Sequence, residues 1–346
     1  MNDLYLGLDL GTSAVKALVV DWAGKVRAVG AAEYPVLHPQ PGWAEQDTAT
    51  WWTATTTAAR QALGAEPRIA GIGVSGQMHG TVLLDERERP LAPAIIWADG
   101  RSQAQVEQIT QAVGPERLIE IAGSPLAAGL QAATIAWLKE ERSSLWWRTK
   151  RVLLPKDELR RRLTGEIATD PGDASGTLLL DARWRDWSPD LLAAVGVEPA
   201  KLPPVRPSAS LAGALRPDAA TELGLAPGTP VVVGSGDAPS GLLGAGIVDP
   251  ATMLLSISTG AQAMIPALGV RPDPLGRTHA WCSALEPGAG RPGWYAMGAT
   301  LAAGMALRWL RDELLGLTGA DAYERMTGWA SASPPGARGV LFLPYL

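Results

Sequence analysis

The sequence predicts an α/β chain assembled from two similarly built halves. Short apolar runs broken by Gly, such as "LGLDLG" and "IAGIGV", alternate with longer stretches of helical character, such as "TATWWTATTTAARQALG" and "RSQAQVEQITQAV". The early segment "LGLDLGTSAVKALVV" has a later counterpart in "LLSISTGAQAMI", each an apolar strand, a Gly/Thr/Ser turn and a second apolar strand. A length of 346 residues suits two domains at about 100–200 residues each. The second beginning near Gly246 divides the chain into residues 1–246 and 247–346.

From the N-terminus, "LYLGLDLG" and "KALVVDW" read as a hairpin joined by "TSA", and "AGK" turns the chain again. Asp47 is placed to cap a helix that ends near Gly64. "RIAGIGVSGQMHGTVLLD" follows as a buried strand, a Gly-rich turn and a second strand, and "LAPAIIWADGR" delivers a short strand into a polar loop. "RSQAQVEQITQAV", "QAATIAWLKEERSSLWW" and "PKDELRRRLTG" are the next helices, the last with a basic end that suits a helix C-terminus. The Pro-rich run from Leu202 to Leu215 reads as a surface connection. "PVVVGSGDAPSGLLGAGIV" is a strand, a Gly-rich turn and a helix start, and "ATMLLSISTGAQAMI" is a strand, turn and strand.

Composition narrows the function. Thirty Lys+Arg against 35 Asp+Glu give a net charge of −5 with no dense basic run, so nucleic acid is not an expected partner. A single cysteine, Cys282, forms no internal disulfide, and "MNDLYLGLDL" lacks a secretory signal pattern, so a cytoplasmic setting is expected. The apolar runs are strand-length, far below the ~20 residues that cross a bilayer, so no membrane association is expected. Fourteen Trp against one Phe leave aromatic faces for sugar stacking, although core filling is the ordinary use of Trp.

The turns carry the chemistry. Gly, Ser and Thr packed between strands direct backbone N–H groups and hydroxyls to one point, as a phosphate requires, and "GTS" (11–13) and "STG" (258–260) both qualify. A carboxylate beside such a cradle repels the phosphate unless a cation intervenes, so Asp9 with Thr12 points to Mg2+ held through water. The GxxxxGK[ST] loop is absent. "GIGVSG" (71–76) matches GxGxxG, but the residues after it read as a strand where a dinucleotide site needs a helix. "GQMHG" (76–80) and "WADGR" (97–101) put amide, imidazole, carboxylate and indole groups in loops at strand ends, where small polar ligands are gripped. Asp237 in "GSGDAPSG" is either a helix N-cap or a general base aimed into a cleft, and spacing does not choose between them.

Together, "GLDLGTSAVK", "WAEQD", "GQMHG", "IIWADGR", "VLLPKDELRRRLTGEIATDPGDASGT", "GSGDAPSG", "STGA" and "FLPYL" resemble, in order and spacing over essentially the whole chain, the xylulokinase group of the FGGY family of carbohydrate kinases. "QMHG" and "LLPKD" favour that group over glycerol, gluconate or fuculose kinases. The resemblance implies an actin-like ATPase fold built from ribonuclease-H-like domains, with a complete first domain (1–246) for sugar and phosphate. Residues 247–346 are then the beginning of a second, nucleotide-binding domain. It implies ATP and Mg2+ as cofactors and phosphorylation of the 5-hydroxyl of D-xylulose, and it allows a homodimer. Residue by residue, Asp9 falls at the metal, and Gly11, Thr12, Ser13 and Lys16 at the first phosphate loop. Thr259 and Gly260 fall at the second loop. Gln77, Met78, His79, Trp97, Asp99 and Arg101 fall at the sugar, and Asp237 at the catalytic base.

The chain departs from the pattern at Ala98 and Ala238, where the family usually has Asn; each change removes an amide that could meet a sugar hydroxyl. The chain stops at "FLPYL", where relatives continue into the adenosine-binding region, so exposed apolar surface is expected in the second half. A non-catalytic sugar-binding module, a kinase for a related pentulose or polyol, and an NAD-linked dehydrogenase resting on "GIGVSG" are the competing readings.

Overall fold

The structure, a computed structural model, describes residues 3–64, 68–300 and 302–343. Met1, Asn2, Ala65 and the end of "FLPYL" (344–346) lie outside the described residues. Strands β1 (Leu4–Leu10), β2 (Ala14–Asp21) and β3 (Val26–Glu33) form an antiparallel meander, and β4 (Ile69–Gly76) lies parallel to β1 on its other side. Beyond β4 come β5 (Leu211–Ala214) and β6 (Pro230–Val232), while β7 (Ser235–Gly236) pairs with the end of β4. The sheet order is therefore β5-β6-β4-β1-β2-β3.

Alternation along β1 explains its place. Leu6, Leu8 and Leu10 are buried, whereas Tyr5, Gly7 and Asp9 face the other way. Burying each Leu stabilises the fold by about 1.5–3 kcal/mol. That core face is covered by α1 (Thr48–Leu63), whose Trp51, Ala54, Ala58 and Ala62 recur at helical spacing and are buried. The helix starts where Asp47 accepts from the Ala49 N–H at 2.8 Å, as the sequence predicts. It rests directly on Gly30 of β3, where an added Cβ would run into the Ala58 carbonyl. The opposite sheet face, with Gly7, Leu18, Val20 and Gly73, borders a trough of about 480 Å³ that has Asp9 in its wall.

The predicted helix "QAATIAWLKEERSSLWW" is broken: α2 (Gln131–Glu141) stops, and a short helix, Ser143–Arg148, begins after Arg142. The adjacent serines are poor helix-interior residues and good starters. α3 (Pro155–Thr164) opens on Pro155 and closes on Gly165 at φ 80°, with Arg161 and Arg162 in its last turn. α4 (Pro171–Ser175) and α5 (Pro217–Leu223) follow, the former capped by Asp170. The connection at 202–215 contains the edge strand β5. α6 (Asp237–Gly244) then leaves directly from β7.

A second sheet of β8 (Leu254–Ile257), β9 (Ala261–Ala267), β10 (His279–Cys282) and β11 (Trp294–Thr300) is antiparallel throughout, ordered β8-β9-β11-β10. Its opening hairpin repeats the β1–β2 design, as the sequence predicts. α7 (Gly304–Trp309) follows. β10 docks on the first half: the Cys282 N–H donates to Ser175 Oγ at 3.0 Å, and the Ala280 N–H to the Gly123 carbonyl at 2.8 Å. Cys282 is a buried free thiol. β8 is an edge strand with Leu255 and Ile257 exposed, in line with the apolar exposure expected there. Among the described residues no helix is long and apolar enough to cross a membrane.

Candidate active site

The first turn is held from behind. Tyr34 Oη donates to the Gly11 carbonyl, Gln46 Nε2 to the Thr12 carbonyl at 2.6 Å, and the Tyr34 N–H to the Ser13 carbonyl at 3.1 Å. With three successive carbonyls turned inward, the Thr12 and Ser13 N–H groups are left for an anion. Gln77 reinforces this scaffold by donating to Gln46 Oε1 at 2.8 Å, and Trp51 donates to the same oxygen at 3.0 Å. Asp9, at the end of β1, accepts from Ser75 Oγ at 2.8 Å through one carboxylate oxygen. Lys16 is its cross-strand partner and shares its sheet face.

β7 delivers Asp237 to a cavity of about 370 Å³ whose wall includes Thr12, Met78, His79, Trp97, Gln262 and Trp281. Gly236, not Asp237, occupies the N-cap of α6, and the Asp237 carboxylate accepts from the Ala238 N–H at 2.8 Å. The side chain stays open to the cleft, while the crowded walls strip water from it. That desolvation, with the Asp9 charge adding to it, pushes its pKa up to about 6. Met78 packs against Gly236, where an added Cβ would lie 2.6 Å from its Cγ, so a side chain in the turn before Asp237 would have to displace Met78.

His79 adopts a left-handed backbone at φ 73°, a conformation costly for a non-Gly residue. It is held there by the bond between Nδ1 and the Gly176 carbonyl at 2.7 Å and by Trp281, whose ring centroid lies 5.4 Å away. Burial lowers its pKa to about 4. The imidazole is therefore neutral near pH 7, with Nδ1–H donating and Nε2 an acceptor. Trp97, from the other predicted loop, donates through Nε1 to Thr12 Oγ1 at 2.9 Å and bridges the two sides of the cavity.

Asp99 and Arg101 belong elsewhere. Arg101 donates to Asp99 at 2.7 and 2.8 Å and to Glu45 at 2.7 Å, and its guanidinium sits 3.6 Å from the Trp43 ring centroid. Asp99 also accepts from the Ala44 N–H at 2.6 Å. Both charges are satisfied within the protein, so they fasten the loop carrying Trp97 and do not line the cavity. Gln77 likewise lies behind the turn at residues 11–13, 1% exposed. Of the two alanine positions, Ala238 lines the cavity and Ala98 does not.

The second turn is built as predicted: the Ser258 N–H donates to the Gly260 carbonyl at 2.8 Å, and the Thr259 carbonyl accepts from Ala303 at 2.8 Å and Met305 at 3.1 Å. Ser256 and Gln262, which flank Thr259 and Gly260, reach the cavity wall. Sequence reasoning missed Tyr34, Gln46, Gln262 and Trp281. Only Gln46 carried a signal, as the Gln of "WAEQD".

A mixed sheet that opens with a hairpin and a phosphate-type turn, facing a second hairpin across a cavity, is the arrangement of an actin-like ATPase. Residues 4–244 match the description "FGGY family of carbohydrate kinases, N-terminal domain". The xylulose kinase of Klebsiella pneumoniae is 36% identical over 99% of this chain and 69% of its own length, and that of Bacillus subtilis is 34% identical over 99% and 67%. The solved xylulose kinase of Rhodospirillum rubrum superposes with a TM-score of 0.91 at 30% identity, covering 99% of this chain and 70% of that one. The chain belongs to the FGGY family of carbohydrate kinases. Its relatives place it among the ATP-dependent sugar kinases, and it spans about two thirds of their length.

Proposed function

We propose that this chain carries the sugar site and the first phosphate turn of a kinase that moves the γ-phosphoryl group of ATP to the 5-hydroxyl of D-xylulose. One observation carries the reading: Asp237 shares a cavity wall with Thr12 of the phosphate turn and with Met78, His79 and Trp97. The sugar itself is taken from the printed names of the relatives. Residues 1–246 form the sugar and phosphate unit in this reading, and residues 247–346 begin the nucleotide unit. A buried free Cys282 is compatible with a cytoplasmic setting.

Phosphoryl transfer asks a protein for alignment and charge more than for covalent chemistry. Asp237 accepts the proton of the sugar hydroxyl as the O–P bond forms, and the bond from phosphorus to the β,γ-bridging oxygen breaks, its electron pair leaving with ADP. A base with a pKa of about 6 is ionised at neutral pH and still basic enough to take that proton. His79 Nε2 accepts a second sugar hydroxyl, and the Trp97 ring lies along the sugar. The N–H groups of Thr12 and Ser13, with Gly11 giving room, hold phosphate oxygens from one side. Thr259 and Gly260 do so from the other, and Lys16 adds positive charge.

Asp9 fits Mg2+. Among the described residues no three His, Cys, Asp or Glu gather as a protein cage, and Mg2+ is commonly held by one or two carboxylates together with phosphate oxygens and water. Ser75 engages Oδ1 of Asp9, and no hydrogen bond from a described residue reaches Oδ2. Bound there, the ion supplies charge neutralisation on the phosphates. ADP release by the chain with Mg-ATP, in the presence and absence of D-xylulose, tests the reading. Sugar-stimulated release supports it, and xylulose binding without release identifies a sugar-binding module instead.

A further inference from the structure

Behind the sugar cavity lies a buried ionic cluster that the proposed reaction does not use. Lys156, Asp157 and Arg160 on α3, Asp170 at the start of α4 and Asp173 within α4 are all buried. Lys156 Nζ donates to Asp157 at 2.8 Å and to Asp170 at 3.0 Å, and Arg160 Nη1 donates to Asp157 at 2.8 Å. Asp170 receives four further donors: the Gly172 and Asp173 N–H groups and the hydroxyls of Ser208 and Ser235. Asp173 receives none; neither carboxyl oxygen has a hydrogen-bond partner among the described residues, and its nearest cation, Lys156 Nζ, is 3.7 Å away.

The cluster grips the segment that leads to Asp237. Arg160 donates to the Val233 carbonyl at 3.2 Å, Asp170 accepts from Ser235 Oγ at 2.6 Å, and Asp173 Oδ1 lies 3.3 Å from where a Cβ on Gly236 would stand. Two cations, Lys156 and Arg160, balance two carboxylates: Asp157, which takes both of them on Oδ1, and Asp170, which has donors on both oxygens. An ionised Asp173 would leave a net charge of −1 enclosed directly behind Asp237, and an isolated buried charge without donors is strongly disfavoured.

We propose that the cluster is a charge-balanced seat for the Asp237 turn, with Asp173 its neutral, proton-bearing member and Lys156 the group that keeps the balance. Asp173 and Lys156 are positioning residues: they act on the reaction through Asp237. The charges facing Asp173 are Lys156 and Asp157 from α3, Asp170 at the cap of its own helix and Asp237 from α6, with the Tyr295 phenol on β11; Arg160 pairs with Asp157 behind them. Burial, joined by the carboxylates of Asp157, Asp170 and Asp237 and opposed by Lys156, holds Asp173 well above the usual carboxylate range. Burial also opposes ionising Asp157, but Lys156 and Arg160 outweigh it and keep that carboxyl low. This inference rests on Asp237 being the base only for its effect on the reaction, not for the charge state of Asp173.

The deciding experiment is the infrared difference spectrum of the wild-type chain minus Asp173→Asn at neutral pH. A protonated carboxyl C=O stretch in wild type, absent from the variant, is expected. A carboxylate pair of bands in its place overturns the proposal, as does an Asp173→Asn chain that fails to fold, since a neutral isostere should fit a neutral site. The second arm is the pH profile of kcat/KM for sugar-dependent ADP release. Asp173→Asn should leave the acidic limb in place, whereas Lys156→Gln should move it to higher pH. A limb that falls in Asp173→Asn, or stays put in Lys156→Gln, overturns the electrostatic link. If the wild-type chain releases no ADP, the functional reading falls, and the infrared band still decides the charge of Asp173.

Discussion

The indole Nε1 of Trp97 donates to the hydroxyl of Thr12 at 2.9 Å. One hydrogen bond thus ties the loop proposed to face the sugar to the turn proposed to face the phosphates. Trp97→Phe keeps an aromatic ring, though a smaller one, and deletes the donor, so about 0.5–1.5 kcal/mol is lost with the hydrogen bond. The expected result is a several-fold rise in KM for both Mg-ATP and sugar, read by steady-state kinetics over both concentrations. A change confined to one substrate would show that the bond does not couple the two sides.

In the proposed reaction Asp237 sets the pH dependence. Its pKa is raised to about 6, and only the ionised form accepts a proton, so kcat/KM should fall as pH drops through that value. The stability effect has the opposite sign. A carboxyl whose folded-state pKa lies above its unfolded value of 3.8 contributes stability that is fully present below 3.8 and is lost as pH rises through about 6. Asp237→Asn should therefore melt at slightly higher temperature than wild type at neutral pH, with the gap closing near pH 4. The gain is small because the group is open to cleft water. Differential scanning calorimetry at the two pH values checks this.

His79 should report as a neutral imidazole protonated on Nδ1 throughout the range from pH 6 upward, since burial lowers its pKa to about 4. Nitrogen NMR of the ring reads the tautomer directly. His79→Ala should raise the sugar KM by roughly tenfold, the scale of about 1.4 kcal/mol, with a smaller change in kcat. Titration of His79 between pH 6 and 7 would contradict the buried, Gly176-bound geometry.

Lys156→Met leaves Asp157, Asp170 and Asp173 facing Arg160 alone. Breaking such a buried ionic group from one side costs about 3–5 kcal/mol, so the urea midpoint should fall by a large fraction of its value. Arg162→Met, at the half-exposed end of the same helix, should change it little.

Much of this architecture was legible because it is written locally. The β1–β2 hairpin and its later twin follow from period-two alternation and turn chemistry, and Asp47 and Gly64 bracket α1 as capping rules require. The destinations of Asp99 and Arg101 were not legible. A polar loop residue is spent on whatever the tertiary fold brings to it, and here that is Glu45 and Trp43, more than 50 residues earlier in the chain. The partners of Lys156 and Arg160 were not legible for the same reason, being Asp170 and the Val233 carbonyl. Trp281 lies in "HAWC", an ordinary strand pattern whose cavity-facing side is decided by pairing with β11.

The measurement that tests the central claim most directly is sugar-stimulated ADP release from Mg-ATP by wild type and Asp237→Asn, beside xylulose binding by calorimetry on the same samples. Release by the wild type that falls by about 10²-fold or more in the variant, with xylulose affinity within a few-fold of wild type, is the predicted result. An Asp237→Asn chain that still turns over at a comparable rate, or that loses sugar binding and turnover together, would contradict the assignment of Asp237 as the base.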